Sequence, residues 1–313
     1  MHIKKMLIGL VLAIVAVPVV LVLIVGAYIS YLNQTNGTLV SSGENRKYLL
    51  YVPPTYDRAK PTPLVISLHG AAAWPAHEMN TSKWNRLADE QGFIVVYPSG
   101  SGVPRIWHVD RGAGLMKDVR FISELIDTLG AAYNIDPTRI YANGLSNGGG
   151  MSFVLSCTLS SRIAAVGMVA AAQTLPWSWC TDHRPVPMIA FHGTADSLVP
   201  YSGGLPTGAL APSKFDKNAQ PFPDVPGWAA DWARRNRCGA NPVESAVAAD
   251  VTRIEYTRCA DDAAVLLYTV QGGGHSWPGG EPDPEWMVGP TSNGINATRQ
   301  MWAFFREHRL LKN

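Results

Sequence analysis

The apolar positions of this chain fall into three kinds of run. The first, "MLIGLVLAIVAVPVVLVLIVGAYISYL" from Met6 to Leu32, carries no charge and has no polar face. A membrane-spanning helix needs about 20 apolar residues, whereas the core of a signal peptide has about 7–15. The length therefore favours an uncleaved anchor. Lys4 and Lys5 ahead of it hold the N-terminus in the cytoplasm and send the remainder outward. Val25-Gly26-Ala27 also fits a small-residue cleavage site, which leaves a secreted or periplasmic form open. The pattern predicts a membrane anchor or signal segment over 1–32, a short polar linker over 33–46 and one domain over 47–313.

The second kind of run is short, unbroken and rich in branched residues: "PLVISLHG", "FIVVYP", "RIYANG", "IAAVGMVAA", "PMIAFHG" and "AAVLLYTV". Such runs read as strands buried on both faces of a parallel sheet. "KYLLYVPPTY" reads as an edge strand stopped by Pro53 and Pro54. The third kind repeats at helical spacing, as in Val119, Ile122, Leu125, Ile126 and Leu129, and again in "GWAADWARRNRC" and "GINATRQMWAFFREHRL". "MNTSKWNRLADEQG" reads as helical in its second half, closed by Gly92. Strands alternating with helices predict an α/β fold, a mostly parallel sheet covered by helices on both faces. Tyr201 to Gly227, rich in Pro, Gly and Ala, reads as a long surface loop that shapes a pocket.

Composition narrows the function classes. Roughly 275 residues after the first run suffice for one large domain with a buried core. Net charge is +2, charged residues make up 16%, and there is no basic stripe, so nucleic acid is not an expected partner. Four cysteines, Cys157, Cys180, Cys238 and Cys259, suit disulfides in an exported domain. Three connectivities exist; proximity in sequence favours Cys157–Cys180 and Cys238–Cys259. No C-x-x-C pair or Cys/His cluster points to a metal, and no cofactor is expected.

The chemistry gathers around "RIYANGLSNGGGMS". Gly144-Leu145-Ser146-Asn147-Gly148 is G-x-S-x-G between a predicted strand and a predicted helix, the setting of a nucleophile elbow. A serine hydroxyl needs a base, and the base an orienting acid. Asp196 in "FHGTADSLVPYSGG" and His275 in "YTVQGGGHSWPGG" each follow a strand, in the order serine, acid, histidine. Asp182 and Asp224 are rivals that follow no clear strand. His77, His108, His183, His192 and His308 read as structural. Two backbone donors, the N–H groups of Ala71 and Asn147, are expected to form an oxyanion hole, with His69 bracing the first of those loops.

"SLHG", "GFIVVYPSG", "YANGLSNGGGMS", "FHGTADSLVPYSGG" and "GGGHSWPGG" occur in the order found in the polyhydroxybutyrate-depolymerase-like esterases, which include feruloyl and acetylxylan esterases of carbohydrate esterase family one. The chain resembles that family from about Lys47 onward. The resemblance implies an α/β-hydrolase fold, Ser146, Asp196 and His275 as the triad, and the two cysteine pairs favoured by proximity. "HGAAAWPAHE" departs from relatives that carry a cysteine or polar residue after the glycine, and Lys117 and Arg120 flank Asp118 where relatives are more acidic. The expectation is an extracytoplasmic serine esterase acting on polyhydroxyalkanoate-type oligoesters or on feruloyl or acetyl esters of polysaccharides. Trp277, Trp74 and Trp107 are candidates for an aromatic-lined substrate site. The competing readings are a serine peptidase and a membrane-tethered binding module on a hydrolase scaffold.

Overall fold

The computed structural model describes residues 2–207 and 220–311, with side chains from residue 16 onward. It divides into two compact units, Met1–Gln34 and Thr35–Asn313. The first is one helix, α1 (His2–Leu32), with Pro18 inside it. The first half of the expected anchor lies outside the residues whose side chains are described. Among the described residues no helix is long and apolar enough to cross a membrane.

The second unit is built on a ten-stranded sheet. Its strands are β1 (Gly37–Ser41), β2 (Glu44–Tyr51), β3 (Thr62–Leu68), β4 (Ile94–Pro98), β5 (Ile135–Leu145), β6 (Ala165–Val169), β7 (Met188–Gly193), β8 (Val243–Ala248), β9 (Val251–Tyr256) and β10 (Val265–Val270). They lie in the order β1-β2-β4-β3-β5-β6-β7-β10-β9-β8. The six central strands run parallel, and antiparallel pairs close both edges. This is an α/β-hydrolase-like arrangement, and its unbroken apolar runs are the parallel strands they were expected to be.

Strand β3 shows why the central runs carry no polar alternation. All seven of its residues are buried. Leu64, Ile66 and Leu68 join a core with helices α4 (Leu115–Ala132), α5 (Asn147–Thr158) and α6 (Val225–Arg235). Val65 points the other way, into a core with α3 (Trp84–Gln91) and α8 (Ala297–Phe305). Side chains alternate across a strand, so a strand with helices on both faces must be apolar throughout. Each fully buried Leu, Ile or Val contributes about 1.5–3 kcal/mol.

Three elements differ from expectation. Helix α2 (Pro75–Ser82) precedes α3, so the segment is helical from its start, with Lys83 at φ 57° marking the break between the two. The long loop expected over 201–227 ends early, because Asp224 caps α6 by accepting from the Gly227 N–H at 2.7 Å. Residues 208–219 of that loop lie outside the described residues. The β8–β9 hairpin was not foreseen; most of β8 is exposed and carries no clean alternation.

Two disulfides pair Cys157 with Cys180 and Cys238 with Cys259. The first ties α5 to the segment after β6, and the second ties the turn after α6 to the turn after β9. Loops of this size are stabilised by about 3 kcal/mol each in the chain-entropy account.

Candidate active site

Parallel strands present their carboxyl ends at one edge, and the loops leaving that edge carry ligand sites in such folds. Here three of those loops carry Ser146 after β5, Asp196 after β7 and His275 after β10. Ser146 sits at φ 55°, ψ −119°, a conformation that non-glycine residues rarely hold. Its N–H donates to the Val169 carbonyl at 2.8 Å, and its carbonyl accepts from Gly150 at 2.9 Å. The turn demands bare backbone around it. A Cβ on Gly144 would stand 2.5 Å from the Leu68 carbonyl oxygen, and one on Gly148 would meet the same carbonyl still closer. Ser146 itself is partly exposed at the head of α5.

Asp196 and His275 are brought together. His275 Nδ1 lies 2.8 Å from Asp196 Oδ2, with both residues buried. Asp196 Oδ1 accepts from the N–H groups of Leu198 at 2.9 Å and Val199 at 2.8 Å. His192 Nε2 donates to the Val199 carbonyl at 2.8 Å and stands 3.3 Å from Asp196 Oδ2. Burial alone would raise the Asp196 carboxyl. The charge of His275 and hydrogen bonds from His192 and His275 outweigh it and hold the carboxyl well below the usual carboxylate range. Asp196 is therefore an anion throughout the neutral range, and His275 Nδ1 must carry a proton to satisfy it. The loops are stitched to each other: Ala195 N–H donates to Gly273 O at 2.9 Å, and His275 N–H to Val288 O at 2.5 Å. Among the described residues no hydrogen bond joins the Ser146 hydroxyl to His275; unliganded sites of this kind are often looser than the reacting complex.

The rival residues are engaged elsewhere. Asp182 Oδ2 accepts from the Ser160 N–H at 2.7 Å, and Asp224 is the cap of α6. His77 Nε2 lies 2.9 Å from Asp283, His108 Nδ1 lies 2.7 Å from Asp118, and His308 packs against Phe304. His183 is exposed.

His69 closes the loop after β3. Its Nδ1–H donates to the Gly70 carbonyl at 2.7 Å, and its Nε2 accepts from the Gly100 N–H at 2.9 Å. Burial, only partly opposed by the Gly70 hydrogen bond, pushes its pKa down to about 4. A neutral ring with both nitrogens committed is a brace and not a base. Beyond it, the N–H of Ala72 donates to Arg105 O at 2.8 Å. Ala71 is the first residue after Gly70, whose Cβ direction faces Ser146 Cβ at 3.6 Å. Asn147 is the first helical residue of α5, so its N–H has no acceptor within the helix.

Two of the three tryptophans expected to line the substrate site do not. Trp277 is 1% exposed, with its indole N–H given to Thr298 Oγ1 at 2.9 Å. Trp107 is 1% exposed, with its indole N–H given to the His69 carbonyl at 3.1 Å. Both are core residues whose one polar atom is satisfied internally, so neither offers a face to a ligand. Trp74 is partly exposed beside α2. Trp286, not singled out from the sequence, is 77% exposed on the one-turn helix α7 (Glu285–Val288), two residues before Val288, whose carbonyl holds the His275 backbone. Its polar, proline-flanked surroundings, "EPDPEWMVGP", were the available signal.

A buried polar group under the elbow ties β3 to β5. Ser67 Oγ lies 2.8 Å from Glu78 Oε1 and 2.9 Å from Asn143 Oδ1, and Trp84 Nε1–H donates to the same Asn143 oxygen at 3.1 Å. One hydroxyl proton cannot serve two acceptors. A protonated Glu78 resolves the conflict, donating to Ser67, which then donates to Asn143. Burial pushes Glu78 up to about 8, against the lowering effect of the Ser67 hydrogen bond. The folded state then keeps a proton that the unfolded chain releases near its ordinary value of 4.5. That stabilisation is complete below the unfolded value and is lost as pH rises through about 8, at up to about 1.4 kcal/mol per pH unit. Glu78→Gln, which supplies a permanent donor, is expected to gain stability relative to wild type from pH 5 to 8 and to hold that gain above it. Thermal unfolding across that range checks this, and parallel Tm curves for the two proteins would refute it.

The strand order is that of an α/β-hydrolase-like fold, with a serine, an aspartate and a histidine on loops at one edge of its sheet. Residues 46–174 match the Esterase PHB depolymerase family. Feruloyl esterase B of Piromyces equi is 30% identical over 237 residues, 74% of this chain and 42% of that protein. The bifunctional acetylxylan esterase/xylanase XynS20E of Neocallimastix patriciarum is 33% identical over 159 residues, 51% of this chain and 22% of that protein. The chain thus spans less than half the length of these curated relatives. The acetyl xylan esterase from Aspergillus awamori superimposes with a TM-score of 0.59 at 16% identity, covering 86% of this chain and 98% of that one. Together these matches support the polyhydroxybutyrate-depolymerase-like and feruloyl esterase family of the α/β-hydrolase superfamily for this chain.

Proposed function

We propose that this protein is a serine carboxylic-ester hydrolase acting on esterified polysaccharide, with Ser146, His275 and Asp196 as its triad. One observation carries the reading: a partly exposed serine in the left-handed elbow, on the same sheet edge as a histidine held by a buried carboxylate. Ser146 Oγ attacks the ester carbonyl as its proton passes to His275 Nε2. The tetrahedral oxyanion accepts from the N–H groups of Asn147 and Ala71, and such donors are worth about 3–4 kcal/mol each. Collapse expels the alcohol, which takes the proton from His275. Water, activated by the same imidazole, then releases the acid and restores the serine. Asp196 fixes the tautomer throughout.

The feruloyl and acetylxylan esterases among the relatives support a hydroxycinnamoyl or acetyl group on a polysaccharide as substrate, ahead of hydroxyalkanoate oligoesters. Trp286, exposed on the helix whose Val288 carbonyl holds the His275 backbone, is our candidate for stacking on a ring of the alcohol portion. An exported location, with α1 as membrane anchor, is supported by the uncharged run Met6–Leu32, by exposed apolar side chains from Val17 to Val25, and by two disulfides.

The test is an ester panel of methyl ferulate, acetylated xylan and hydroxybutyrate oligomers, with fluorophosphonate labelling followed by peptide mapping. Labelling at Ser146 and preference for a polysaccharide ester are expected. On that ester Trp286→Ala is expected to raise KM several-fold with kcat within about twofold, since it removes binding made equally before and during reaction. A protein that hydrolyses none of the panel and takes up no label at Ser146 would favour a binding module.

A further inference from the structure

The loop from Ser99 to Val109 is pinned at almost every turn, and its pins converge on the two segments that carry the oxyanion donors. On one side it holds the loop after β3. Gly100 N–H donates to His69 Nε2 at 2.9 Å, Arg105 O accepts from Ala72 N–H at 2.8 Å, and Trp107 Nε1–H donates to His69 O at 3.1 Å. On the other side it is gripped by one side chain. Asn147 Oδ1 accepts from the Trp107 N–H at 2.7 Å, and Asn147 Nδ2 donates to the Trp107 carbonyl at 3.0 Å. The amide of Asn147 thus pairs with Trp107 as a neighbouring strand would, satisfying both backbone groups of one residue.

The far end of the loop is anchored independently. Asp118, fully buried in the first turn of α4, accepts from the His108 N–H at 2.9 Å and from Ser101 Oγ at 3.3 Å, and pairs with Arg46 at 2.8 Å. Ser101 and Ile106 exchange both backbone hydrogen bonds at 2.9 Å, which folds the loop on itself. These bonds hold the loop at points that do not involve Asn147. The same loop is thus bonded both to the segment after β3 and to the residue after Ser146.

From this we infer that the Asn147 side chain is a positioning residue: it is the strut that sets the distance between the two oxyanion donors, its own N–H and that of Ala71. The inference rests on the function proposed above and deepens it. The backbone N–H of Asn147 stabilises the oxyanion whatever side chain is attached. The amide decides where that N–H stands relative to its partner across the site. A donor displaced by about 1 Å loses most of its effect on a developing charge, a cost of about 10²-fold in rate. That cost falls on the transition state and leaves ester binding intact.

The test compares wild type, Asn147→Ala and Ser146→Ala as full-length proteins by two readouts. The first is amide hydrogen exchange at Trp107. The second is kcat and KM on p-nitrophenyl acetate. Asn147→Ala is expected to speed Trp107 exchange at least about tenfold as its acceptor vanishes. The same variant should lower kcat about 10²-fold with KM within about twofold. Unchanged Trp107 exchange would remove the strut. Faster exchange with unchanged kcat, or a rise in KM alone, would make the pairing structural only and overturn the inference. Wild-type turnover by Ser146→Ala would overturn the proposed function instead, and the inference with it. If Asn147→Ala does not fold, Asn147→Leu, which keeps the side-chain volume without charge and loses both hydrogen bonds to Trp107, is put through the same kinetic split, with the same fall in kcat expected and unchanged kcat overturning.

Discussion

Ser146→Ala is expected to lower ester hydrolysis by about 10⁶-fold in kcat, leaving only what the oxyanion donors and binding supply over water. No other side chain in the described site stands ready to replace it. Ser152, one and a half turns further along α5, is fully buried and donates to the Gly148 carbonyl at 3.2 Å. The left-handed backbone at position 146 aims one side chain, and no neighbour shares that geometry. Single-turnover kinetics with p-nitrophenyl acetate checks the expectation; retention of more than about one hundredth of wild-type kcat would show that the hydrolysis runs through another group.

The second large effect is expected from Asp196→Asn, about 10⁴-fold in kcat with the fold intact. Its direction follows from the two N–H groups that Asp196 Oδ1 accepts, those of Leu198 and Val199. An asparagine at 196 keeps those partners only with its carbonyl oxygen in the Oδ1 position. Its NH2 then occupies the Oδ2 position, 2.8 Å from His275 Nδ1. Two donors cannot face each other, so His275 must shed its Nδ1 proton and carry it on Nε2. Nε2 is the atom that has to receive the serine proton, and it is then already full. The ¹⁵N shifts of His275 would display the reversed tautomer directly. A variant with kcat within tenfold of wild type, or with an unreversed tautomer, would refute the argument.

Much of this was legible in the sequence because parallel strands and elbows leave local marks. Continuous apolar runs such as "PLVISLHG" identify strands buried on both faces, and the glycines at 144 and 148 mark a turn that excludes side chains. Asp196 and His275 could be picked out because each follows such a run. What was not legible depends on contacts distant in sequence. Trp107, Trp277 and Trp286 are the same residue in a sequence; only the packing separates two core indoles from an exposed one. Asn147 and Trp107 are 40 residues apart, and no spacing rule links an asparagine amide to a backbone it meets across the site. The hairpin β8–β9 was lost because most of β8 faces water and buries no regular face. The short helix α2 was lost because its residues are largely polar, and what fixes it is Pro75 at its start and burial of Glu78 beneath it.

The φ of 55° at Ser146 has a consequence for how such a protein drifts over generations. A side chain held there costs of order 1–3 kcal/mol that glycine would not incur. In the proposed mechanism it is the nucleophile's role that keeps a serine there. In a lineage where the ester no longer mattered, position 146 would be among the first to relax to glycine, giving a firmer fold with nothing left to do. If the proposed mechanism holds, the serine at that position is kept by catalysis against the interest of stability.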